Sequence, residues 1–252
     1  MTYLVLSILR PQNQSLPEID GITGKPVRYL LSSGLAAAYC EMEGRITPQV
    51  EDVLKFEEIT ETLSSVFPLI PLRFGNYFEN LDKLEEFLRK NTDRLTRVIE
   101  KLTGKVEMGI RVLSSKRTTQ EEPQAEDSPV QSGRQYLARR KTYYALQSRE
   151  TEKTEKLASM LKTTFHGLFS DMKVEEQGSP GFLDRSSASA LISAYFLISA
   201  ASVDKFRGKF AELALDDADF LLSGPWPPYN FTDLHPAKTT DSFQDSFSSE
   251  ID

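Results

Sequence analysis

The fold is decided by the stretch from Phe67 to Leu113, which reads FPLIPLRFGNYF (67–78), then a helical segment, then GKVEMGIRVL (104–113). The prolines keep the first piece extended, because proline is excluded from helix interiors. The last piece alternates apolar residues with Glu107, Gly109 and Arg111, which indicates a strand. The middle piece carries apolar residues at helical spacing, namely Leu81, Leu84, Leu88, Leu95, Val98, Ile99 and Leu102. We therefore predict a packed helix at the seam between two halves of the protein.

The ends of two helices are marked in the sequence. Asn80 is suited to cap the seam helix, and Gly104 lies where this helix is expected to stop. Thr47 is predicted to cap an earlier helix, with Pro48 at its first position.

The order of the elements places a domain boundary near Gly104. The residues after it read as strand, helix, strand, strand, helix, strand, which is the βαββαβ order of a ferredoxin-like domain. We predict an α+β protein with two domains, an N-terminal α+β domain (1–103) and a modified ferredoxin-like domain (104–235). Within the second domain, the polar residues 114–132 predict a mobile loop. The acidic, serine-rich residues 236–252 predict a disordered tail.

The composition favours a soluble protein of the cytoplasm. A net charge of −7 and a pI near 5.1 argue against broad binding to nucleic acids or to anionic lipid membranes. The single cysteine, Cys40, excludes an intrachain disulfide and fits a reducing compartment. We recognise no secretory leader, and no apolar stretch approaches the roughly 20 residues that span a bilayer.

Residues that carry chemistry in enzymes are scarce. The chain has two histidines and contains no CxxC, HExxH, EF-hand or phosphate-loop pattern. Cys40 lies in a predicted strand, which favours a small core residue over a reactive thiol. The sequence thus predicts no catalytic residue, no metal site and no cofactor.

Four charged residues are candidates for structural or interaction roles. We expect Arg73, in an extended apolar segment, to pair with Glu107 and hold the seam between the halves; a solvent-facing arginine is the alternative. Arg139 and Arg140 belong to a basic run that is typical of a solvated helix face. A docking patch for an acidic partner is the less favoured interpretation of that run.

Two aromatic candidates, Trp226 and Tyr229, lie in the segment GPWPPYNF (224–231). This segment has too many prolines for regular structure, so we expect both aromatic side chains to fold back over the sheet. The segment also contains a PxxP spacing, and a polyproline ligand is the alternative.

Five stretches of the sequence match the motifs of one protein family, and they occur in the same order as in that family. They are GKPVRYLLSSGLAAAY (24–39), PLRFGNYF (71–78), KVEMGIRV (105–112), GRQYLARR (133–140) and LSGPWPPYNF (222–231). Together they resemble the gas vesicle protein F/L family, over nearly all of the predicted folded region. The resemblance implies a minor, non-enzymatic protein of gas vesicle formation, located in the cytoplasm and on the vesicle. The implied partners are the hydrophobic major shell protein and other gas vesicle accessory proteins. It leaves open whether the protein acts transiently or stays in the vesicle wall.

Two other functional classes remain as alternatives. Ferredoxin-like βαββαβ domains often bind RNA, but the strand VEMGIRV (106–112) has no aromatic residue and the net charge is negative. An enzyme requires converging titratable groups, for which the sequence offers no candidate cluster.

Overall fold

The computed structural model describes residues 1–12, 14–114, 152–176, 190–214 and 218–232. The part before Gly104 contains strands β1 (Thr2–Leu9), β2 (Arg28–Ser32), β3 (Leu35–Met42), β4 (Leu69–Pro71) and β5 (Tyr77–Phe78), with helices α1 (Val50–Val66) and α2 (Leu81–Leu102). The part after it contains β6 (Lys105–Ser114), α3 (152–164), β7 (Asp171–Glu176), β8 (Ala190–Ser199), α4 (Val203–Ala211) and β9 (Ala218–Trp226). The mixed helix-and-sheet class predicted from the sequence is confirmed.

The first sheet has the strand order β2-β3-β1-β4, and β5 also pairs with β1. All of these pairings are antiparallel. Strands β2 and β3 are joined by a tight turn in which Ser33 and Gly34 have φ angles of 53° and 78°. Two positive φ angles in a two-residue loop match the right-handed twist of a hairpin.

Both faces of the first sheet are covered. Strand β3 alternates between them: Ala36, Ala38, Cys40 and Met42 pack in one cluster with α1, and Leu35, Ala37 and Tyr39 pack in another with α2. The buried residues of α1 are Phe56, Ile59, Thr60 and Leu63. Those of α2 are Leu84, Leu88, Leu95, Ile99 and Leu102. Cys40 is fully buried, as predicted, and burial raises the pKa of its thiol.

The two ends of α2 lie where the sequence predicts them, whereas the start of α1 lies at a different residue from the predicted one. The side chain of Asn80 accepts a hydrogen bond from the Lys83 amide, and Gly104 follows the helix with φ +70°. The prediction of Thr47 as the cap of α1 is wrong. Gln49 is the N-cap, because its amide donates to the Asp52 carboxylate at 3.0 Å in a reciprocal capping box.

The second sheet has the order β7-β8-β6-β9, again fully antiparallel. One face packs against α3 and α4. Its centre is a group of aromatic rings: Phe165 stacks on Phe206 with ring centroids 4.3 Å apart, and Phe196 contacts both. Among residues 1–12, 14–114, 152–176, 190–214 and 218–232, the other face is covered only in part, where Leu102 of α2 and Phe231 pack on Leu197.

Strand β9 continues further than the sequence suggested. It runs through Gly224 and Pro225 to Trp226, which is paired with Glu107, so the expectation that residues 224–231 lack regular structure is wrong. Proline is tolerated here because β9 is an edge strand and its register shifts between Gly109 and Glu107. The loop predicted beyond Ser114, the tail predicted for 236–252, and the candidates Arg139 and Arg140 lie outside the described residues.

Candidate functional site

A cleft of about 350 Å³ lies where the first part of the chain meets the end of β9. We call it the seam cleft. Helix α1, the segment after β4, strand β6 and the segment after β9 all contribute to its walls. Its lining residues are Val53, Phe56, Glu57, Arg73, Phe74, Glu107, Trp226, Tyr229 and Asn230.

Asn230 connects two of the three charged residues that line the seam cleft, Arg73 and Glu107. Its backbone amide donates to Glu107 Oε2 at 2.9 Å, and its side-chain Nδ2 donates to Glu107 Oε1 at 2.6 Å. Arg73 Nη2 donates to Asn230 Oδ1 at 2.5 Å. A single asparagine therefore links the segment after β4, strand β6 and the segment after β9.

Glu107 is a charged group that is almost fully buried, with 4% of its surface exposed. Burial raises the pKa of its carboxyl above the usual value, because a low-dielectric environment disfavours the charged form. The two hydrogen bonds from Asn230 and the nearby Arg73 guanidinium oppose that rise, whereas Glu175 adds to it. The carboxyl is thus held by hydrogen bonds at a site where its charge is costly.

Tyr229 and Trp226 occupy different environments. Burial raises the pKa of Tyr229 to about 12, and its ring lies near Thr60 and Glu57 of α1. The Tyr229 hydroxyl is buried beside the Thr60 side chain, although no hydrogen bond of good geometry joins the two. Trp226 keeps 41% of its surface exposed, although it lines the cleft. The seam cleft therefore presents an exposed indole beside apolar walls from Val53 and Phe74.

The structure brings four of the six candidate residues together: Arg73, Glu107, Trp226 and Tyr229. The direct Arg73–Glu107 pair that we expected is replaced by a bridge through Asn230. Tyr229 packs towards α1 and not over the second sheet, because the chain turns away after β9 in the short helical turn Tyr229–Phe231. Sequence reasoning missed Asn230, and its position directly beside Tyr229 was the one available signal.

No arrangement typical of a metal centre appears in the described ranges, where no three His, Cys, Asp or Glu side chains are grouped to hold an ion. Within the same ranges, no helix is both long and apolar enough for a membrane span. The seam cleft combines apolar walls, one exposed aromatic side chain and a polar network in which Arg73, Asn230 and Glu107 are joined by hydrogen bonds.

Comparison with known proteins identifies the family. A family model described as gas vesicle synthesis protein GvpL/GvpF matches residues 3–233. The chain belongs to this family. It is 28% identical to gas vesicle protein L of Streptomyces sp. (strain CB03234), over 91% of this chain and 92% of that protein. It is 26% identical to gas vesicle protein F2 of Halobacterium salinarum, over 88% of each.

Two solved structures share the fold of this GvpL/GvpF protein. Gas vesicle protein GvpF from Anabaena sp. PCC7120 has a TM-score of 0.69 at 15% identity, covering 93% of this chain and 97% of that one. GvpF from Microcystis aeruginosa has a TM-score of 0.65 at 16% identity, covering 92% and 99%. The family supports a role in gas vesicle formation and association with the gas vesicle.

Proposed function

We propose that this GvpL/GvpF protein acts in gas vesicle formation as a non-enzymatic binding protein that holds the major shell protein. The observation that carries the proposal is the seam cleft, with the exposed indole of Trp226 beside Val53 and Phe74. Exposed aromatic side chains at apolar clefts are typical anchors of protein interfaces. The chemistry matches a partner that is itself very apolar.

The physical problem is the solubility of the shell subunit. A small protein with a large apolar surface aggregates in water unless a partner covers that surface until assembly. A cleft of about 350 Å³ accepts a few side chains of one segment and not a whole subunit. We therefore infer that the protein grips one apolar segment of the shell protein, and that other accessory proteins act on the same assembly.

The second sheet supports a two-domain organisation. Its strand order β7-β8-β6-β9 and its helices α3 and α4 follow the arrangement of a ferredoxin-like module. We infer a domain boundary near Gly104, where α2 ends and β6 begins. On this view the seam cleft is an inter-domain site, and such interfaces are frequent locations for ligand binding.

The RNA-binding alternative has weaker support. On the partly open face of the second sheet, Tyr195 is an aromatic residue, and its hydroxyl donates to Glu175 at 3.2 Å. Glu175 and Asp219 flank this face, which reduces its attraction for a phosphate backbone.

The proposal is tested by retention of purified shell protein on the immobilised full-length chain. We expect Trp226→Ser to lower the affinity by about tenfold or more, because loss of an aromatic anchor costs at least about 1–2 kcal/mol of binding free energy. The control is Leu31→Ser, which removes a side chain that is 63% exposed on β2, away from the cleft. Equal retention by the two variants and the wild type rejects the cleft as the binding site.

A second measurement separates the remaining alternatives. Antibody labelling of washed vesicles, before and after collapse, distinguishes a lasting wall component from a transient assembly factor. Filter binding of a labelled single-stranded RNA at low salt tests the RNA alternative directly, because electrostatic binding is strongest under those conditions.

A further inference from the structure

One face of the second sheet lies opposite α3 and α4, and the described residues cover it only in part. On this face Phe231 and Leu102 pack over Leu197. Further along the same strands, a second cavity of about 350 Å³ opens above β8, β6 and β9. We call it the sheet groove. Its lining residues are Gly109, Ile110, Arg111, Ser193, Tyr195, Leu221, Leu222 and Ser223.

Gly109 creates the floor of the sheet groove. It is paired with Tyr195 on one side and with Ser223 on the other. A Cβ at this position would lie 2.6 Å from Ser223 Oγ and 3.8 Å from the Tyr195 ring. The Ser223 hydroxyl therefore occupies the place that a Cβ at residue 109 would need, and the buried Gly109 lets Ser223 pack directly on the central strand at the floor of the groove.

Arg111 supplies the charge of the sheet groove. Its direct neighbours across the strands are Ser193 and Leu221, and neither is charged. Arg111 is exposed, and no hydrogen bond or ion pair to it occurs within the described part of the chain. Three acidic residues of this face lie further off. Glu175 is two strands away, where it pairs with Ser193; Asp219 is at a diagonal position, where it pairs with Leu113; and Glu107, four residues earlier on β6, is bonded to Asn230. The guanidinium is available for an external anion.

The residues around Arg111 restrict which kind of molecule can carry the anion that it binds. Leu221 keeps 53% of its surface exposed and forms an apolar wall beside the guanidinium. The Tyr195 ring forms the opposite wall, with its hydroxyl bonded to Glu175. A guanidinium binds a carboxylate with two parallel hydrogen bonds, and the hydroxyl of Ser193 can donate a further one. Glu175 and Asp219 disfavour a polyanion such as RNA.

We propose that the sheet groove binds a protein segment in which an aspartate or glutamate side chain stands next to an apolar side chain. The carboxylate binds Arg111, and the apolar side chain packs against the exposed side chain of Leu221. This surface is separate from the seam cleft, with which it shares no lining residue. The inference therefore does not require that the cleft holds the shell protein.

The test uses the full-length chain and 15-residue peptides, acetylated and amidated at their ends, that tile the other gas vesicle proteins of the same host. We expect a subset with adjacent acidic and apolar residues to bind the wild type. Arg111→Ala should lower their affinity by about tenfold or more, and Arg111→Lys by less, because lysine lacks the bidentate geometry. Arg89→Ala, on the exposed side of α2, is the matched control and should have no effect.

Carboxylate dependence is the decisive reading. Replacing the acidic residue of a bound peptide by Asn or Gln should lower its affinity by the same factor as Arg111→Ala. The affinity of the altered peptide for the Arg111→Ala variant should be no lower than with either change alone. Leu221→Ser should weaken the same peptides by a smaller factor, which provides a second variant on the apolar wall. The proposal fails if no peptide depends on Arg111, if the amide peptides bind equally well, or if oligouridylate competes through Arg111. Trp226→Ser, scored separately, reports on the seam cleft alone.

Discussion

In the part of the chain that the structure describes, the first sheet is packed on both of its faces, whereas the second is packed fully on only one. In β1, Leu4 and Leu6 face α1, while Val5 and Ile8 face α2, and all four are fully buried. In β6, the buried residues Met108, Ile110 and Val112 all face α3 and α4. The alternate residues Glu107, Gly109 and Arg111 lie on the opposite face of the sheet. Covering their charged groups with an apolar layer would cost the free energy of removing them from water.

This contrast shows where a binding role can reside. Side chains of a strand alternate between the two faces of the sheet, so every second residue determines whether a given face is apolar or polar. A strand that is apolar at both sets of positions is committed to the core. The polar row of β6 instead contributes Glu107 to the seam cleft and Arg111 to the sheet groove. Both candidate surfaces lie on the incompletely covered side of the second sheet.

The largest expected effect tests the asymmetry of the second sheet. Phe196→Ala removes a fully buried ring at the centre of the aromatic group and should lower the free energy of unfolding by about 3–5 kcal/mol. Leu221→Ala, on the opposite face, should cost under about 0.5 kcal/mol because the side chain is already half exposed. Urea denaturation of both variants measures the difference. A similar loss for both would mean that something covers the open face.

The first sheet should behave symmetrically under the same measurement. Leu63→Ala on α1 and Leu88→Ala on α2 each remove a fully buried side chain, on opposite faces. Each should cost about 2–5 kcal/mol, because a lost transfer energy is added to a cavity. A loss below about 1 kcal/mol for either one would show that its face is not part of a cooperative core.

Most of the secondary structure follows from local signals in the sequence. Strand β8 begins and ends at the residues predicted, Ala190 and Ser199, and α2 has its predicted cap at Asn80. Such features depend on periodicity and on backbone groups nearby in sequence, so the sequence alone determines them. The start of α1 was misplaced because Thr47 and Gln49 are both plausible caps, and only the carboxylate of Asp52 selects between them.

The candidate site was predictable only in part. The apolar surroundings of Arg73 and its position between two helices predict a residue at a seam, and Arg73 is one of the residues that line the seam cleft. The partner was not predictable, because Asn230 is 157 residues away and reaches Arg73 only once β9 has paired with β6. Likewise, the path of β9 through Pro225 depends on its being an edge strand, which is a property of the assembled sheet.

The Asn230 bridge gives a smaller and more specific test of how the second sheet is held to the first part. Asn230→Ala removes the side-chain hydrogen bond to Glu107 Oε1 and the bond that Arg73 donates to Asn230 Oδ1, while the backbone amide of residue 230 still donates to Glu107 Oε2. The loss should be about 1–3 kcal/mol of unfolding free energy. When residue 107 has already been changed by Glu107→Gln, Asn230→Ala should lower the unfolding free energy by less, because no buried carboxylate then loses a hydrogen bond. An equal cost in both backgrounds would show that Asn230 acts through its packing and not through Glu107.

The pH dependence of stability isolates the cost of burying Glu107. Its pKa is higher in the folded state than the usual 4.5, so the neutral form is favoured by folding. The stability that Glu107 contributes is fully present below the pKa that its carboxyl has in the unfolded chain. It is lost as the pH rises through the pKa of that carboxyl in the folded protein. We therefore expect the stability of the wild type, relative to Glu107→Gln, to fall between pH 4 and the raised pKa and then to level off. A relative gain over that range would mean that the hydrogen bonds from Asn230 outweigh burial.

The smallest expected effect separates two tyrosines whose pKa burial raises to about 12, one in each part of the chain. The hydroxyl of Tyr29, in the first sheet, donates to the Pro17 carbonyl at 2.9 Å, so Tyr29→Phe should cost about 0.5–1.5 kcal/mol. The Tyr229 hydroxyl is buried beside Thr60 of α1 and makes no hydrogen bond of good geometry there, so Tyr229→Phe should leave the unfolding free energy unchanged or raise it slightly. If Tyr229→Phe costs as much as Tyr29→Phe, a water or a side chain satisfies that hydroxyl in solution. The segment after β9 would then be held to α1 by a polar contact as well as by apolar packing.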